Sequence, residues 1–152
     1  MRIRDCMESG GITTVQESDD LKLAAQILLW HGARHLPVLR DGRVVGVLSE
    51  RDLLARQAAL GQRAAGQMSV GEAMSAPALV ARPDEDLAVA AERMLENRVG
   101  CLPVIDQGAL VGMLTRSDLL RAIADSPEST LTQDERLVAL AHVHVPPSHH
   151  AH

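Results

Sequence analysis

The chain has 152 residues, the size of one ordinary domain or of two small ones packed together. Apolar residues make up 46% and charged residues 23%, which supports a real core and argues against a chain disordered throughout. A net charge of −5 with no basic block, no Phe, no Tyr and one tryptophan, Trp30, speaks against a nucleic-acid binder, which shows a basic stripe and often stacking rings. The core, and any pocket for a planar ligand, must then be aliphatic.

Met1–Asp5 meets acidic residues before any apolar stretch can begin, and no run approaches transmembrane length. A soluble cytoplasmic protein without membrane partners is expected. Cys6 and Cys101 share no metal-ligand or redox spacing and read as small buried apolar residues. Ile12–Val15 is a short β-prone run, and Ser18-Asp19-Asp20 after it is the kind of cluster that starts a helix. Leu21, Ala24, Ala25 and Leu28 then fall at helical spacing, with Trp30 expected to pack at the helix end. His31 and His35 lie four apart, but Gly32 and Leu36-Pro37 place a helix end between them, so no metal pair is expected. Leu36–Leu39 and Val44–Leu48 flank Arg40-Asp41-Gly42 as a hairpin, with glycine where positive φ is needed. A second helix begins near Ser49 and runs through Leu53-Leu54. Gln57–Gly71, rich in Ala, Gln and Gly, reads as the end of that helix plus a linker.

The same series then recurs. Residues 11–54 slide onto 77–120 without a gap at an offset of 66, giving 15 identities in 44 positions. Average composition gives about three by chance. Leu36-Pro37-Val38 returns as Leu102-Pro103-Val104, Asp20-Leu21 as Asp86-Leu87, and Asp52-Leu53-Leu54 as Asp118-Leu119-Leu120. The chain is therefore two copies of a β-α-β-β-α unit, an α+β fold. A unit of this size buries too little surface alone, so the two are expected to pack face to face about a pseudo-two-fold axis. The expected boundaries are 5–60 for the first copy, 61–72 for the linker, 73–125 for the second and 126–152 for a partly flexible tail. Met68, Met74 and Met94 read as core fillers. In the tail, a short helix is expected over Asp134–His142. Five of the seven histidines fall in the last eleven residues, the pattern of a mobile tail that picks up metal adventitiously.

One motif carries chemistry and occurs twice: Gly46-Val47-Leu48-Ser49-Glu50-Arg51-Asp52 and Gly112-Met113-Leu114-Thr115-Arg116-Ser117-Asp118. It puts a hydroxyl, and three residues later a carboxylate, at a strand-to-helix junction. On one reading it is only a capping box, the two side chains satisfying orphan amides. On the other, the helix start offers unpaired N–H groups and the positive dipole end to a phosphate. Arg51 and Arg116 then add charge-assisted contacts, and the carboxylate accepts vicinal ribose hydroxyls.

Leu-Pro-Val, the Asp-Gly or Gln-Gly hairpin and Val-Gly-x-Leu-(Ser/Thr)-x-x-Asp, all duplicated, resemble the cystathionine β-synthase domain family, the CBS domains, over residues 5–122. The resemblance implies a tandem pair, often called a Bateman module, that binds AMP, ADP, ATP, S-adenosylmethionine or a similar adenosine ligand in clefts between the copies. In that family the Asp contacts ribose and the Ser or Thr contacts phosphate. Backbone of the first strand and the segment before Leu-Pro-Val surround the base. Carried over, the ribose role falls on Asp52 and Asp118, and the phosphate role on Ser49 and Thr115. The base is surrounded by Thr14 and Val80, and by His35-Leu36 and Cys101-Leu102. The second copy departs from the pattern, with Ser117 where the first has Arg51, so the clefts are expected to be inequivalent and Ser49/Arg51/Asp52 to be the better phosphate site.

The reading is a regulatory module with no required cofactor, sensing an adenosine ligand and passing its state to a protein effector. The family resemblance also implies a homodimer. The alternative is a structural or dimerisation module with degenerate clefts. No Ser-His-Asp spacing, P-loop or HExxH is present, so an enzyme is not expected.

Overall fold

The computed structural model describes residues 1–126; the helix expected over Asp134–His142 and the histidine-rich terminus lie outside them. The first copy is built from β2 (Val15–Gln16), α1 (Leu21–His31), β3 (His35–Arg40), β4 (Arg43–Ser49) and α2 (Glu50–Leu60). It forms a three-stranded sheet in the order β2-β3-β4, parallel then antiparallel. The second copy contributes α5 (Leu87–Asn97), β5 (Cys101–Asp106), β6 (Ala109–Thr115) and α6 (Arg116–Ala124). Its first strand is reduced to a single parallel bridge, Ala81 to Val104. Asp41-Gly42 and Gln107-Gly108 turn the two hairpins with all four residues at positive φ, the twist that a two-residue loop between antiparallel strands requires.

The first long helix of each copy, α1 and α5, carries an apolar stripe at i, i+3, i+7 that meets the sheet. Leu21, Ala24 and Leu28 of α1 join Leu36, Val38 and Leu48 in one core. Ala90 and Met94 of α5 join Leu102, Val104 and Leu114 in the other. Met94 is buried there, and Met68 and Met74 pack against the first core, as their reading as core fillers requires. Cys101 is buried and Cys6 half-buried, each as a free thiol. Trp30 departs from expectation: it is 70% exposed, beside Leu29 at 80%. The stripe through Leu21, Ala24 and Leu28 fixes which side of α1 faces inward, and at about 100° per residue positions 29 and 30 are turned away from it.

The copies are not closed by contiguous sequence. The segment read as linker forms α3 (Gln62–Gly66) and α4 (Val70–Ala73), and it completes the first copy. Leu21 N–H donates to the Met68 carbonyl at 2.7 Å, Val70 N–H to Asp19 at 2.8 Å and Gly71 N–H to Glu17 at 2.9 Å. The N-terminal segment does the same for the second copy. Leu87 N–H donates to the Met1 carbonyl at 2.9 Å, Ile3 N–H to Glu85 at 3.0 Å and Arg4 N–H to Pro83 at 2.9 Å. Ile3 is fully buried among Ala81, Leu102 and Leu114. The short strand β1 (Glu8–Ser9) then pairs with β6, as Ser75 pairs with Val47 of β4. Each copy is thus sealed by the segment that precedes the other, and the chain crosses between them twice.

Gly46 and Gly112 explain why the motif strand carries glycine. A Cβ at Gly46 would stand 2.6 Å from Met74 Sδ and 2.8 Å from the Ser75 carbonyl; one at Gly112 would stand 2.7 Å from the Glu8 carbonyl. The crossing segment lies flat on both strands only because no side chain is there. Residues 1–120 form one unit that contains both sheets and both cores, and a second begins at Arg121, within α6.

Candidate functional site

Both motif helices open onto one cleft of about 1400 Å³ lined by the two crossing segments, Gly11-Ile12-Thr13 and Pro77-Ala78-Leu79. At the first motif, Ser49 is the N-cap of α2. Its Oγ accepts from Asp52 N–H at 3.0 Å, and Asp52 Oδ2 accepts from Ser49 N–H at 2.9 Å. Ser75 Oγ donates to the same carboxylate at 3.3 Å. At the second motif, Thr115 N–H donates to Asp118 Oδ2 at 2.8 Å, Thr115 Oγ1 donates to it at 3.0 Å, and Asp118 N–H donates back to Oγ1 at 3.3 Å. Both motifs are capping boxes, and the local chemistry that starts the helices also sets their amide ends toward the cleft.

The two are unequal. Ser49, Arg51 and Asp52 all face the cleft. On the second side Thr115 and Arg116 face it, but Asp118 does not and is only 7% exposed. Where Ser75 stands beside the first motif, Glu8 occupies the equivalent strand position beside the second. His35 and Leu36, and Cys101 on the opposite copy, line the cleft; Leu102 is fully buried in the core behind it. Thr14 and Val80 are set back from the cavity, whose walls are formed by the residues just before each. The Val80 carbonyl accepts from Arg93 Nη2 at 2.8 Å, a guanidinium that also pairs with Glu85 at 3.2 Å. Ile27 stands at the equivalent place in the first copy and offers no such donor.

His35 sits at the contact between copies. It pairs across the hairpin with Ser49, and its ring lies over Gly100, where a Cβ would come within 2.8 Å of Nε2. Burial, and then the Arg116 guanidinium, hold the imidazole below its ordinary value of 6.5, with Asp52 and Glu50 opposing. Cys101, paired with Thr115, is pushed up to about 12 by burial against a smaller opposing effect of Arg116. Such a thiol stays protonated and unreactive.

The CBS domain family model matches residues 3–59 and 70–125. The chain belongs to the CBS-domain family. Its matched segments begin at the two sealing segments, so the family unit includes the closures seen in the structure. This CBS pair is 31% identical to the CBS domain-containing protein YhcV of Bacillus subtilis over 117 residues, 77% of this chain and 81% of that one. It is also similar to the crystal structure of CBSX2 in complex with AMP, at 33% identity and a TM-score of 0.69, covering 80% and 94% of the two chains. The CBS pair of protein MJ0100, solved with 5′-methylthioadenosine and S-adenosyl-L-methionine, aligns at 25% identity and a TM-score of 0.71 over 82% and 96%. Several homoserine O-acetyltransferases match too, but over less than a quarter of their length, so that likeness is of the CBS region. No helix among the described residues is long and apolar enough to cross a membrane.

The sealing segments escaped the sequence reading although they bear on the site, because Glu8 and Ser75 lie on them. The signal was present but shifted. Met1, Ile3, Asp5 and Met7 match Met68, Val70, Glu72 and Met74 at an offset of 67 rather than 66.

Proposed function

We propose that this CBS pair is a regulatory sensor that binds an adenosine-containing ligand in the cleft, with the first motif as the principal site. The observation that carries the reading is the single cleft onto which two helix starts open, one of them presenting hydroxyl, carboxylate and guanidinium together. In this reading Asp52 takes the ribose hydroxyls, and the α2 amide end with Ser49 and Arg51 takes phosphate. Ile12, Leu36 and Leu79 supply the aliphatic walls for the base. The adenosine ligands of two similar CBS pairs support the ligand class.

Thermal unfolding with AMP, ADP, ATP and S-adenosylmethionine tests it. A bound ligand at a hundred times its Kd stabilises by about 2.7 kcal/mol. A shift of several degrees with at least one of them is expected, and no shift with any would overturn the reading.

We also propose self-association, with any output passing through a protein partner. Exposed apolar residues recur at equivalent helical positions in the two copies: Leu23 and Val89, Leu29 and Leu95, Leu54 and Leu120. Faces of this kind mark interaction surfaces, and a second copy would present the same faces in return. Native mass spectrometry should show a dimer that Leu29→Glu with Leu95→Glu dissociates; a monomer at tens of micromolar would contradict it.

A further inference from the structure

Four arginines line the cleft: Arg34, Arg51, Arg98 and Arg116. Outside the cleft, Arg40 pairs with Glu17 and Arg93 with Glu85. The four in the cleft make no side-chain hydrogen bond or ion pair among the described residues. The cleft also holds three carboxylates, Glu8, Glu50 and Asp52. It is therefore biased toward cation in a chain whose net charge is −5.

Arg51 and Arg116 belong to the duplicated motif. Arg34 and Arg98 do not, and their placement has its own logic. They stand in equivalent loops, Gly32-Ala33-Arg34 between α1 and β3, and Arg98-Val99-Gly100 between α5 and β5. At the offset of 66, the position equivalent to Arg34 is Gly100. A side chain at that position would have to displace the His35 ring, whose Nε2 lies 2.8 Å from where its Cβ would be. The second copy carries its loop arginine two residues earlier, at the C-cap of α5, with φ of 54°. The first copy has glycine at that cap, Gly32 with φ of 60°. An arginine in the left-handed region is strained relative to glycine, the default residue there. Each loop thus brings one guanidinium to the cleft, the second in a strained backbone conformation.

We propose that Arg34 and Arg98 are specificity-determining residues that make the cleft select adenosine ligands by phosphate charge, favouring the di- and triphosphate over adenosine and over the sulfonium S-adenosylmethionine. This rests on the reading of the cleft as an adenosine-ligand site. A phosphate chain offers several oxyanions to a planar donor fork, whereas a sulfonium brings a positive charge toward four guanidiniums.

Titration calorimetry on the full chain with adenosine, AMP, ADP, ATP and S-adenosylmethionine tests it, alongside Arg34→Ala and Arg98→Gly. The expected order is ATP and ADP tightest, about tenfold or more above adenosine, with S-adenosylmethionine weaker than ADP. Arg98→Gly should lower ATP affinity about tenfold and leave adenosine affinity unchanged. Its melting temperature should hold or rise, since glycine relieves the left-handed cap. A merely structural arginine would give a lower melting temperature and an unchanged ATP-to-adenosine ratio, which overturns the inference. Adenosine or S-adenosylmethionine binding as tightly as ATP also overturns it and leaves the adenosine site standing. If none of the five binds, the site reading itself falls, and the inference with it.

Discussion

Asp52 and Asp118 occupy the same place in two copies of one motif, yet they differ in what they still have free. Both accept the amide of the hydroxyl residue three positions back. Asp52 keeps a face on the cleft and a hydroxyl neighbour, Ser75. Asp118 is buried, and the Thr115 hydroxyl turns inward to donate to it. Duplication gives both carboxylates a capping role, and only the first also lines the cleft. Structural and functional readings of a capping box therefore need not compete, since a carboxylate that caps a helix can also line the cleft.

The largest expected effect comes from breaking the closure on one side. Ile3→Ala removes a fully buried side chain from the second core and should cost about 2–5 kcal/mol in denaturant unfolding. Its effect on exchange protection should concentrate on β5 and β6; equal loss in β3 and β4 would show that the copies do not have separate cores. Gly46→Ala and Gly112→Ala come next, each forcing a Cβ against the crossing backbone and costing about 1–3 kcal/mol. The two carboxylates should then separate by readout. Asp118→Ala should lose about 1–3 kcal/mol of stability as a buried cap, whereas Asp52→Ala, half-exposed, should lose about 1 kcal/mol and most of the ligand response.

A smaller effect is pH-dependent. His35 is faced by Arg116 from α6, Arg34 from its own loop, and Asp52 and Glu50 from α2. Its folded value lies below 6.5, so its contribution to stability is complete above pH 6.5 and is lost as pH falls from there through the folded value. Unfolding of wild type and His35→Asn between pH 5 and pH 8 should diverge on the acid side; parallel curves would remove His35 as the cause. The smallest expected difference is chemical. Cys101, held at about 12, should resist iodoacetamide in the folded chain, while Cys6, half-buried and raised by burial and by Asp5, should be modified first.

Much of this was legible in the sequence because the duplication repeated the strong local signals. Asp41-Gly42 and Gln107-Gly108 announced the hairpins, and Ser49 and Thr115 the helix starts. What was not legible depends on tertiary placement. Val70-Gly71-Glu72 looks like linker because what orders it lies about fifty residues earlier: Val70 and Gly71 donate to the Asp19 and Glu17 carbonyls, and Val70 joins the first core. Trp30 follows Ile27, Leu28 and Leu29 in an apolar run, and its hydrophobicity argues for packing where the stripe of Leu21, Ala24 and Leu28 turns it outward. The arginines of the cleft were half legible. Arg51 and Arg116 stand in the motif, but Arg34 and Arg98 converge only once His35 is seen lying over Gly100.

The most direct test is calorimetric titration of ADP into the intact chain and into its Asp52→Asn form, which retains an oxygen to cap α2 but removes the charge offered to the ribose hydroxyls. Saturable binding by the wild-type chain, weakened about tenfold or more in the variant, is the expected result. Equal affinity in the two chains, or no heat with ADP in either, would contradict a nucleotide site at the first motif.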